Sequence, residues 1–146
     1  MKPVIRRLYL AAPLIYIKAD CKIGDIAAIT QEIFYCFELE PSQAHEFEPD
    51  KDSFIKSLVY SGKAALPDTQ ESYGERAAIP AGNYLFSQED GCLSERELID
   101  IAVEVQKEGL WQRLEPGNCL YARYLSEDGR DVTQILRPYS FRASTI

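Results

Sequence analysis

The sequence is short of the residues from which most metal and nucleophilic sites are built. It has one histidine, His45, and four cysteines, Cys21, Cys36, Cys92 and Cys119, with no Cys-x-x-Cys pair. Such spacing points to neither a zinc cage nor a disulfide framework, and the expected role of the thiols is that of small apolar core residues. No metal or cofactor is expected, because a lone histidine and dispersed cysteines make no ligand set without converging acidic oxygens. His45 stands between Glu38 and Asp52 among carboxylates and prolines, the setting of a solvated connection rather than of a catalytic imidazole.

Basic charge is scarce as well. Sixteen lysines and arginines face 23 acidic residues, for a net charge of −7. That balance repels phosphate backbones, and with no basic face or helix-turn-helix signature to offset it, direct nucleic-acid binding is not expected. No segment approaches the ~20 apolar residues of a membrane span, so no membrane partner is expected. The basic start, Met1 to Arg7, leads into an apolar run broken at Pro13 with no small-residue cleavage site. The expected location is cytoplasmic, with reduced thiols.

What is present is ample for a core: 146 residues, 46% hydrophobic, with nine tyrosines, six phenylalanines and one tryptophan. One domain is expected over 1–146, made of units at approximately 1–76 and 77–140 and a tail at 141–146. Leu8 to Lys18 reads as a strand kinked at Pro13. Ile26, Ile29, Ile33 and Phe37 fall at helical steps and predict a helix from Asp25 that stops before Pro41. Phe54 to Tyr60 reads as a strand ended by Ser61-Gly62, and a further strand is expected between Gly62 and Arg76.

From Ala77 onward the local signals agree. Pro80-Ala81-Gly82 marks a bulge or turn at a sheet margin, after which Tyr84, Phe86 and Gln88 share one strand face and Leu85 and Ser87 the other. Ser94 and Glu97 form a capping box, Leu93 can staple onto Leu98, and Leu98, Ile101, Ala102 and Val105 make a buried stripe. Gly109 is the expected left-handed terminator of that helix. Cys119–Leu125 and Val132–Arg137 flank Asp128-Gly129 as a hairpin, with Pro138 ending its second strand.

Ile79-Pro80-Ala81-Gly82-Asn83-Tyr84-Leu85-Phe86 resembles the "IPAG-x-Y" strand of the gyrase-inhibitor-like, or bacterial effector-binding, family. Tyr124-Leu125 with Val132 to Pro138 is similar to that family's final hairpin. The resemblance covers the second half of the chain. It implies an α+β fold of two pseudo-symmetric strand-helix-strand-strand units, with an antiparallel sheet and a ligand cleft between them. It also implies a lipophilic, often cationic ligand, and the free-standing members are the relevant comparison. Many members carry a glutamate in the penultimate strand where this sequence has Ala122, and that loss weighs against both cation recognition and catalysis. Arg123 and Arg137 lie on adjacent strands, and whichever of them register turns into the cleft would favour an anionic ligand.

The expected function is therefore a free-standing small-molecule binding protein that takes a lipophilic ligand in a cleft between two half-domains. The residues expected to line it are Tyr16, Tyr60, Tyr84, Phe86, Gln88, Trp111, Tyr124 and Arg137. Two alternatives stand beside it: a hydrolase of the same fold acting on strained electrophilic toxins, using Glu89, Glu32 or Tyr84, and a protein-interaction accessory factor with no ligand.

Overall fold

In a computed structural model, the structure describes residues 3–18, 33–63 and 76–141, with the backbone alone for 15–18, 33–35, 55–63, 76–78 and 126–127. The described chain is mixed α/β, with one α-helix and an antiparallel sheet. Its strands are β1 (Arg6–Leu10), β2 (Leu14–Lys18), β3 (Ile33–Leu39), β4 (Phe54–Lys63), β5 (Arg76–Ile79), β6 (Gly82–Asp90), β7 (Leu114–Pro116), β8 (Cys119–Glu127) and β9 (Arg130–Phe141), and the helix α1 (Glu95–Trp111) follows β6. The order across the sheet is β1-β6-β9-β8-β3-β4-β2-β5, with β7 added onto β9.

Two breaks in the chain organise this sheet. β1 runs on into β2 past Pro13, and β5 runs on into β6 past Pro80-Ala81, with Gly82 at φ +145° in backbone that a side chain rarely adopts. The two kinked segments pair with each other on both sides of their kinks, Leu10 with Gly82 and Leu14 with Ile79. β2 pairs on its other side with β4, and β6 pairs on its other side with β9. The pairings therefore run through six chain segments and return to the one they began on.

The helix is set by its own sequence. The Ser94 hydroxyl accepts from the Glu97 N–H and the Glu97 carboxylate accepts from the Ser94 N–H, both at 3.2 Å. This reciprocal box satisfies two of the N–H groups that a helix start leaves unpaired. Leu98, Ala102 and Val105 are buried against the sheet, joined by Val103, Gln106 and Gly109. They meet Leu85, Ala122, Tyr124 and Ile135 in the larger core cluster. A smaller cluster of Ile79, Tyr84 and Leu136, with Leu8, Phe86, Cys36 and Tyr121 against it, forms separately. Strand alternation puts Leu85 beneath α1 and Tyr84 on the far face of the sheet.

Five expectations need correction or fall outside the described residues. β4 is not ended by Ser61-Gly62 but runs on to Lys63, because Ser61 is paired with Ile17 on one side and Ile33 on the other. Ile33–Leu39 is a strand and not the end of a helix: Phe37 and Leu39 are buried while Glu38 between them is exposed, a period of two. Residues 25–32, and the strand expected between Gly62 and Arg76 beyond Lys63, lie outside the described residues. Gly109 sits inside α1, which runs to Trp111, and the left-handed residue is Arg113 at φ 62°. A side chain at 109 would meet Leu85 Cδ1 at 2.7 Å, so glycine serves close packing there rather than termination. Pro138 does not end β9: it falls between the last pair with β8, at Leu136, and the first with β7, at Tyr139, where a missing N–H is tolerated. No helix among the described residues is long and apolar enough to cross a membrane.

Candidate functional site on the far face of the sheet

Register decides which side chains meet. β9 is flanked by β6 and β8, with Phe86, Leu136 and Tyr121 in one cross-strand row and Gln88, Gln134 and Arg123 in the next. Tyr121 lies opposite Cys36 of β3, and Arg123 lies opposite Phe34. The first row is apolar and aromatic, and the second is polar and hydrogen-bonded throughout: Arg123 Nη1 donates to Gln134 Oε1 at 2.7 Å, and Gln134 Nε2 donates to Gln88 Oε1 at 2.8 Å. Gln134 is buried, Arg123, Phe86 and Tyr121 are half-buried, and Gln88 is exposed, so the row opens to solvent at the β6 end.

The tyrosines of this face are held protonated. Burial, with a smaller contribution from the Cys119 thiol, pushes the Tyr84 phenol up to about 12. Its hydroxyl donates to the Pro80 carbonyl at 2.5 Å and its ring meets Tyr121 edge-on at 6.1 Å. Tyr121 is pushed up further, by burial first, then by its hydrogen bond with the Cys119 Sγ 3.4 Å away and by the nearby Cys36 and Tyr84. Such phenols exchange hydrogen bonds and offer apolar faces, but they do not take up protons as bases at neutral pH.

The eight expected lining residues are divided by the fold. Tyr84, Phe86 and Gln88 share the far face. Tyr84, only 2% exposed, is packed core there, and Phe86 and Gln88 are the reachable pair. Tyr124 and Arg137 lie on the helix face: the Tyr124 hydroxyl donates to the Leu93 carbonyl and helps fix the start of α1. Arg137 donates from Nε to the Gly117 carbonyl at 2.8 Å and from Nη1 to Gln106 Oε1 at 2.9 Å. Neither can reach a ligand held by Phe86. Trp111 is 78% exposed at the end of α1, away from both rows. Tyr16 and Tyr60 lie in β2 and β4, in the backbone pairs Tyr16–Lys63 and Lys18–Tyr60, and their side chains are not among those described.

Register also answers which arginine faces away from the helix: it is Arg123. Ala122 is fully buried in the core cluster under α1, so an acid at this position would lie beneath the helix and not beside Tyr84. Its absence therefore removes nothing from the far face. Glu89 alternates with Tyr84 onto the opposite face, and Glu32 lies outside the described residues, so Glu89 and Tyr84 do not converge on one site. Tyr121, Gln134 and Leu136 were missed as lining candidates, although alternation along β8 and β9 would have found them once Arg123 was set opposite Gln134.

The sequence matches no family model and no curated protein. The functional reading rests on this geometry.

Proposed function

We propose that the protein binds a small lipophilic molecule bearing an acidic group, laid against Phe86 and Tyr121 on the far face, with its acid at Arg123. The observation that carries this reading is the hydrogen-bonded row of Arg123, Gln134 and Gln88 beside an aromatic row on the same face. An arginine fork pre-set by a neighbouring amide recognises a carboxylate with directional, charge-assisted bonds, while the aromatic row receives the apolar body. The ligand is thus anionic and not cationic.

We propose further that this face, carried by one unit, opens into a cleft between two related units. One holds β1/β2, β3 and β4, the other β5/β6, α1, β8 and β9, and each contributes a kinked strand and a hairpin-like pair. We retain the effector-binding resemblance as a proposal, together with a cytoplasmic location. Phenols held protonated favour binding over hydrolysis at this face.

A thermal-shift screen of hydrophobic acids and hydrophobic cations tests the reading, because a ligand of the folded state raises Tm by mass action. Acids should raise Tm and matched cations should not. Arg123→Gln should weaken the best acid by roughly 10- to 100-fold, as losing a charge-assisted hydrogen bond of about 1.5–3 kcal/mol implies. Stabilisation by cations, or an Arg123→Gln protein that binds the acid as well as before, would show the reading to be wrong.

A further inference from the structure

The outer side of α1 carries a trough that the far-face site does not use. Two adjoining grooves of about 500 and 540 Å³ share Pro3, Glu104 and Lys107. The first ends on Trp111, Phe47 and Ile5, and the second runs to Pro49, Ile101, Val103 and Asp100. Trp111 is 78% and Phe47 53% exposed, so two large aromatic side chains in one groove are left in water. Isolated apolar residues on a surface are ordinary, but two aromatics converging in one groove mark a binding surface.

The charge of the trough says what it takes. Glu48, Asp100, Glu104 and Glu108 line it against Lys51 and Lys107, and both lysines are already engaged: Lys51 with Asp100 at 2.5 Å, Lys107 with Glu48 at 3.5 Å and Glu104 at 3.8 Å. The surplus is acidic. Lys107 also lies 5.5 Å from the Phe47 ring centre, so the trough holds one of its own cations between an aromatic face and two carboxylates. An incoming lysine or arginine would meet the same chemistry beside Trp111. From Asp100 to Trp111 the helix extends ~17 Å, with the two exposed aromatics at one end, the half-buried Ile101 at the other and carboxylates between them. That spacing suits an amphipathic helix of about three turns rather than a compact ligand.

We propose that this trough docks a basic amphipathic peptide segment of a partner protein, with its main apolar anchor at Trp111/Phe47, a smaller one at the half-buried Ile101 and a lysine or arginine between them. This inference is independent of the far-face ligand. The probe is an acetylated and amidated leucine–lysine dodecapeptide with helical apolar spacing, compared with its glutamate-for-lysine counterpart. Trp111, the sole tryptophan, reports on it directly.

The lysine peptide should shift Trp111 emission to the blue and saturate at one peptide per chain, and the glutamate peptide should do neither. Glu104→Lys/Glu108→Lys should weaken binding at least tenfold with an unchanged circular dichroism spectrum, and Glu104→Gln/Glu108→Gln should weaken it less. Asp90→Lys, the same substitution of lysine for an acid made once at the end of β6, should leave binding intact. The proposal is overturned by equal weakening from Asp90→Lys, which indicates unspecific charge attraction. It is equally overturned by binding of tetrapropylammonium as tight as that of the peptide, or by sedimentation showing that a second copy of this chain covers Trp111.

Discussion

Replacing Arg137 tests how the protein tolerates a buried guanidinium. The side chain is fully buried, and burial pushes its pKa well below the usual guanidinium range, down to about 10. Keeping the charge there costs about 3 kcal/mol. In return, its donors satisfy the Gly117 carbonyl and Gln106 Oε1, and each acceptor left unpaired in the interior costs about 1–3 kcal/mol. Methionine, similar in length and uncharged, gives up about 4 kcal/mol of satisfied acceptors and recovers about 3 kcal/mol of desolvation. Arg137→Met should therefore be destabilised by only about 1 kcal/mol. Alanine makes the same exchange and leaves a void as well, which at roughly 24 cal/mol per Å³ adds about 2 kcal/mol for ~80 Å³.

Urea unfolding at pH 7 with unchanged m-values separates the two. The pH dependence supplies a second signature. Because the folded pKa lies below the unfolded one, the unfolded chain binds more protons above about pH 10, so this group makes stability rise with pH there. Arg137→Met lacks that contribution. A methionine variant as unstable as the alanine one would refute the reasoning, because it would mean that the charge itself, and not only its donors, stabilises the fold.

The tyrosines should act in the opposite direction. Tyr84, Tyr121 and Tyr124 all have raised pKa values, chiefly from burial, so the folded state binds more protons than the unfolded one above pH 10 and stability falls there. Absorbance of tyrosinate should rise in two stages, with these three ionising only as the circular dichroism signal is lost; a single smooth titration without unfolding would contradict their burial. Gly109→Ala gains about 1 kcal/mol of helix propensity but drives a methyl group against Leu85, an overpacking cost of about 1–3 kcal/mol. A net loss of about 1 kcal/mol is expected in urea unfolding, and a stabilised variant would mean that Leu85 moves aside freely.

The parts legible in the sequence are those fixed by neighbours along the chain. The kink at Pro13, the capping box at Ser94, the Asp128-Gly129 turn and the alternation of Tyr84 with Leu85 each depend on a few adjacent residues, and each is found as expected. The parts misread depend on distant partners. Ile33 and Phe37 continued a helical spacing from Ile26, yet β4 and β8 take this stretch as the strand between them. Gly109 looked like a terminator because the approach of Leu85, which explains it, is tertiary. Gln106 is a polar side chain on the buried side of α1, holding the carbonyls of Gln43 at 2.8 Å and Glu46 at 2.6 Å, and no local pattern announces such a role. For the candidate site, the residue types were visible and their grouping was not, because Tyr124 and Arg137 part from Phe86 and Gln88 only once the strand register is known.

The returning path of strand pairings has a consequence for how the chain is made. Arg6 waits for Phe86 before β1 has its partner, and Cys36, already beside Leu58, waits for Tyr121 before β3 has its second. On a ribosome the first strands emerge long before β6 and β8 exist, and closing such long loops must precede the contacts that reward it. During that interval β1 and β3 present unpaired edges to any other nascent chain. Synthesis speed and chaperone supply, rather than the stability of the finished sheet, should then set how much of this protein a cell obtains in folded form.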